Sequence, residues 1–105
     1  MQEGFLRELE RKLEERREKP TGSLSSKLVQ SRKAASIKLS EECSELFCAI
    51  RSESDARVAQ EAADVLFAVV CALVCRGVPL QKVAGVLASR RVKRVLKQKF
   101  GDANG

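Results

Sequence analysis

A chain of 105 residues, 44 % of them hydrophobic, has room for one small domain around one core. It contains no His, Trp or Tyr, which excludes Ser-His or Cys-His catalysis within one chain. A core drawn from Leu, Val and Ala suits packed helices better than a sheet. The formal charge is +6, but "RRVKRVLKQK" over 90–99 alone carries six positive charges, so the remainder is close to neutral.

In chain order, Phe5 or Leu6, Leu9 and Leu13 recur at helical spacing, and Glu8 with Lys12 forms an i,i+4 pair. These predict a first helix over about 3–19. "PTGSLSS" over 20–26 reads as a loop with a cap at its end. From about Ser26 to Arg51 the chain is helix-permissive, with room for a break near Gln30 and Ser31. Its apolar face comprises Leu28, Val29, Ala34, Ile37, Leu39, Leu46, Phe47 and Ile50. "RSESD" is a turn in which Ser54 caps a helix running to Arg76, and Gly77 fits the left-handed position after it. Pro79 reads as the first residue of a last helix with Leu80, Val83, Leu87 and Val95 on one face. The expectation is a single all-α domain over 1–105, with four to five helices forming a bundle completed by homodimerisation and a basic C-terminal helix from about 90.

The opening "MQEGFLRELE" lacks a basic-then-apolar signal pattern. The apolar run from Ala62 to Cys75 is interrupted by Asp64 and reads as too short to span a bilayer. A cytoplasmic chain without a membrane partner is expected. The cysteines at 43, 48, 71 and 75 form no CxxC pair, so they read as reduced core residues rather than zinc ligands.

The chemistry concentrates in "KLSEECSELFCAIRSESDARVAQEAAD". Glu42 and Glu45 are an i,i+3 pair, as are Glu61 and Asp64, so each pair shares a helix face. Glu45 and Glu61 lie equally far from the turn at Glu53, and so do Glu42 and Asp64. In an antiparallel hairpin this places four carboxylates at two matched levels. Left alone they would repel one another. A hard, oxygen-liganded ion such as Mg2+ resolves the conflict and points to a phosphate substrate. Asp64, facing an apolar run, is expected to face a cation rather than the core.

"EECSE" and the following "EAAD" resemble the ExxE…ExxD signature of the all-α nucleoside triphosphate pyrophosphohydrolases, the MazG-like superfamily. "LRELERKLEERREKPTGS", "IKLSEECSEL" and "EAADVLFAVVCALVCRGVPLQKVAGVLASRR" are most similar to the phosphoribosyl-ATP pyrophosphohydrolases of histidine biosynthesis. The resemblance implies hydrolysis of the α–β phosphoanhydride of phosphoribosyl-ATP to phosphoribosyl-AMP and pyrophosphate. It implies Mg2+ held by Glu42, Glu45, Glu61 and Asp64 as the catalytic set, an obligate homodimer, and Lys38 on phosphate. The family usually has Tyr-Thr after its Gly-Ser and then a glycine and a lysine, where this chain has "GSLSSKL" and "QSRKAAS". In this altered segment Ser25, Ser26, Lys27, Arg32 and Lys33 are further candidates for substrate contacts.

Two other readings share these residues. A housecleaning hydrolase of ordinary or damaged (d)NTPs would use the same scaffold and metal. A non-enzymatic dimeric helical module would grip nucleic acid or a protein through the basic tail. That reading leaves the paired acids unexplained and lacks aromatics for base stacking, so a nucleic-acid partner is not expected.

Overall fold

The computed structural model describes residues 4–100, and the side chains of all of these but Val92, Lys93, Val95, Leu96, Lys99 and Phe100. Five helices follow one another, α1 Phe5–Glu18, α2 Leu24–Gln30, α3 Arg32–Ser52, α4 Asp55–Arg76 and α5 Leu80–Phe100, with no strand among the described residues. The fold is all-α, as the composition requires.

Serines set the helix starts. The Ser23, Ser31 and Ser54 hydroxyls accept from the backbone N–H of Ser26, Ala34 and Arg57 respectively, satisfying donors that a first helical turn leaves unpaired. The break between α2 and α3 falls at Ser31, in extended backbone. The expected 20–26 loop is shorter than its composition suggests, because the Ser23 cap lets α2 begin at Leu24. Gly77 closes α4 with φ at 72°, a left-handed conformation that costs a residue without Cβ nothing. Pro79 immediately precedes α5.

The α3–α4 hairpin is the main packing unit, and α1 and α2 lie against α4. Leu13, Leu28, Val29, Val70, Cys71 and Val74 form the buried core, with Leu6, Leu9, Ala34, Phe67 and Leu80 packed around it. Two expectations about burial need correction. Only Cys71 of the four cysteines is buried, Cys43 and Cys48 being exposed, and all four are free thiols. Phe5, Ile37, Phe47, Ile50 and Leu87 also stand exposed, because the chain on its own offers no layer to cover them. Val95, assigned to the apolar face of the last helix, lies outside the described side chains.

α4 is also longer than the run of apolar letters. Its 22 residues, with a mean hydropathy of 1.9 over the most apolar window, reach the length and composition of a membrane span. It packs against α1, α2 and α3 and buries Glu61, with 28 % of that window buried inside the chain.

The α4–α5 elbow is tied down by α1. Arg17 Nη1 donates to the Val74 carbonyl at 2.6 Å, near the end of α4. Glu10 Oε2 accepts from the Leu80 N–H at 2.7 Å, at the start of α5. A carboxylate there suits the positive end of the α5 dipole.

Candidate functional site: a carboxylate cluster on the α3–α4 hairpin

Three of the four predicted acids meet. Oxygens of Glu42, Glu45 and Glu61 lie within 4.8 Å of one another. Glu42 and Glu61 are buried at 6 % and 4 % exposure, a rare state for a carboxylate and one that requires compensation. The surprise is which acid is buried. The sequence singled out Glu61 and Asp64 together as acids facing a cation beside an apolar run, yet Asp64 is exposed and stands outside the three-carboxylate group. Glu61 takes the inward position.

Each buried carboxylate has one cation one helical turn away. Lys38 Nζ lies 2.8 Å from Glu42 Oε1. Arg57 holds Glu61 Oε1 through Nη2 while donating to Gln60 Oε1 at 2.9 Å and to Glu53 Oε1 at 3.2 Å. The second oxygens, Glu42 Oε2 and Glu61 Oε2, are buried and have no hydrogen-bond partner among the described residues. Such bare buried acceptors are uncommon and costly in proteins.

The charges divide the labour. Lys38 beside it holds the Glu42 carboxyl below the usual carboxylate range, against the opposing effect of burial. Glu45 is pushed above that range, first by its contact with Glu42 and then by the negative charge of Glu61. Lys38 is itself raised, mostly by Glu42, and the charge of Asp64 adds to the effect, so Asp64 faces the same locality.

These residues fit a small, hard divalent cation. The donors are all carboxylate oxygens, two of them buried and unsatisfied, and the negative charges exceed the local positive ones.

The candidates from the altered segment are placed differently. The Ser25 hydroxyl accepts from Arg16 Nη1 at 2.7 Å. Ser26 is 1 % exposed and accepts from the Thr21 N–H at 2.9 Å, so its hydroxyl holds the α1–α2 loop together. Lys27 is exposed on α2. Arg32 and Lys33 line a cavity of about 360 Å³ between α3 and α4 with Leu39, Ala72 and Arg76. Arg57 is the residue that the sequence reading missed. Its signal was present, since Arg57 precedes Glu61 by the same i,i+4 step that separates Lys38 from Glu42.

A helical hairpin bearing facing buried carboxylates, each with its own cation, defines an all-α site suited to divalent metal and phosphate chemistry. The chain belongs to the phosphoribosyl-ATP pyrophosphohydrolase family, whose profile matches residues 6–91. It is 34 % identical over 94 residues to the phosphoribosyl-ATP pyrophosphatase of Methanobrevibacter smithii, covering 85 % of this chain and 96 % of that protein. It is 38 % identical over 86 residues to the histidine biosynthesis bifunctional protein HisIE of Parasynechococcus marenigrum, covering 80 % of this chain but only 39 % of that longer protein. No solved structure gives a significant match.

Proposed function

We propose that the chain hydrolyses the α–β phosphoanhydride of phosphoribosyl-ATP, giving phosphoribosyl-AMP and pyrophosphate, with Mg2+ as its cofactor. The observation that carries the metal is the pair of bare, buried oxygens on Glu42 and Glu61. Family membership and the near full-length archaeal relative carry the substrate. Glu42, Glu45 and Glu61 would hold the cation, with Asp64 on the open side. When bound, Mg2+ supplies charge neutralisation at phosphate oxygens and lowers the pKa of a water.

The chain's own residues then do the following. Lys38, already beside Glu42, reaches a phosphate oxygen. Glu45 is the exposed acid of the cluster, open to solvent where Glu42 and Glu61 are buried, so it accepts the proton of the attacking water on a carboxylate oxygen. Water adds to phosphorus, the P–O bond of the anhydride breaks, and pyrophosphate leaves.

The working form is a homodimer in the cytoplasm. Phe47 and Ile50 share one face of α3 and are 60 % and 65 % exposed, while Leu66 on α4 is also exposed. The radius of gyration is 16.8 Å, against roughly 13 Å for a compact chain of this length, as suits a half-assembly.

Pyrophosphate release with Mg2+ tests the reading, offering phosphoribosyl-ATP beside ATP and the four dNTPs. Preference for phosphoribosyl-ATP is expected. Preference for a dNTP would move the activity to nucleotide-pool cleaning on the same site. No release by folded protein would sink the enzymatic reading and favour a binding module.

A further inference from the structure

Arg57 is the one cation at the cluster for which the reading above has no role. Its side chain is 50 % exposed, whereas Lys38 is 29 % exposed. Its fork is spread over Glu53, Gln60 and Glu61, and the negative charge of Glu45 also bears on it. The charge balance gives this arrangement meaning. Glu42, Glu45, Glu53, Glu61 and Asp64 together outweigh Lys38, Arg57 and one divalent cation by one charge, so nothing is left over for an incoming polyphosphate unless a side-chain cation changes partner. A divalent ion on Glu61 neutralises one of the two charges that hold Arg57, leaving only Glu53, and repels the guanidinium beside it. Arg57 has solvent on its open side and a long flexible stem, so it can leave, and its planar fork matches phosphate geometry.

Resting on the pyrophosphohydrolase reading, we propose that Arg57 is a further anion-binding residue of this site, parked on Glu61 until a divalent cation takes that carboxylate and then turned to a phosphate of the substrate or of the pyrophosphate product. Arg57 is thus a placeholder in the cation-free protein and a phosphate ligand in the loaded one.

The test uses the full chain as wild type, Arg57→Ala and Arg57→Lys, with calorimetric titration by Mn2+ alone and then by inorganic pyrophosphate at saturating Mg2+. Arg57→Ala should bind Mn2+ about two- to fivefold more tightly, since the ion no longer displaces a partly exposed ion pair. It should bind pyrophosphate about tenfold or more weakly through loss of a charge-assisted contact. Arg57→Lys keeps the charge without the fork, should fall between, and serves alone if the alanine variant fails to fold. Weaker Mn2+ binding by the variants would overturn the proposal, making Arg57 a fixed brace for Glu61. Unchanged pyrophosphate affinity would overturn it as well. Phosphoribosyl-ATP turnover by the wild type is read in parallel. Its absence would count against the function reading alone, because neither titration depends on turnover.

Discussion

The two halves of α4 bury different kinds of side chain, and for opposite ends. Toward its C-terminus, Val70, Cys71 and Val74 disappear against Leu13, Leu28 and Val29 from α1 and α2. Toward its N-terminus the buried side chain is Glu61, with Glu42 facing it from α3 and a bare oxygen on each. The first half gains free energy as apolar surface leaves water. The second gives some away, since a desolvated carboxylate is costly even with a cation beside it. One helix thus separates stability and binding along its length, and each half can be perturbed without the other.

The sharpest way to break that comparison is Glu61→Gln, which keeps shape and removes charge. Turnover should fall by more than about a hundredfold, as a change at a metal site does, while helicity by circular dichroism stays at the wild-type level. Collapse of the fold would place Glu61 in the structural half after all. Val70→Ala is the converse. Val70 is 1 % exposed, and the lost methyl groups together with the cavity should cost about 2 kcal/mol in urea unfolding. Mn2+ affinity measured well below the transition should be unaffected.

Glu45→Gln sharpens the picture through pH. The Glu45 carboxyl is raised by Glu42 and then Glu61, so the folded protein holds that proton more tightly than the unfolded chain does. Ionising it therefore costs stability as the pH climbs past the ordinary value of 4.5, and the cost persists at neutral pH. With chelator present, Glu45→Gln should melt above wild type at pH 7, and the advantage should vanish below about pH 4, where both side chains are neutral. A variant that melts lower at pH 7 would mean that Glu45 is held by attraction rather than by repulsion. The smallest effect belongs to the apolar half. Burial pushes the Cys71 thiol up to about 11, so roughly one molecule in a thousand carries the thiolate at pH 8. Mass spectrometry after iodoacetamide treatment should find Cys71 modified only when the chain is unfolded.

Much of this was legible in the sequence, and what was missed shares a cause. Ser54, Gly77 and the matched spacing of the acids about Glu53 are local signals, and local signals place helices and turns. Which acid faces inward was not local. Asp64 and Glu61 sit less than one turn apart on α4, and the packing of α3 decided between them. The Ser23 cap that shortened the 20–26 loop was readable in principle, but the Ser-rich composition around it pointed to coil. Arg57 is legible as an i,i+4 partner of Glu61, but such pairs are common on solvated helix faces and by themselves single out no site. The contact of Glu10 with Leu80 spans most of the chain, and no periodicity encodes it.

That last contact bears on more than one hydrogen bond. α5 has 21 residues and so runs for roughly 31 Å, with little of the bundle packed along it. Its bearing is set at its base, where α1 grips both sides of the elbow through Arg17 and Glu10. A tilt of about ten degrees there would swing the far tip by about 5 Å, given the rise per residue of a helix. The helix backbone that carries residues 90–99 is therefore anchored from the opposite end of the sequence, and a single carboxylate near the N-terminus acts as the rudder for a segment about eighty residues away.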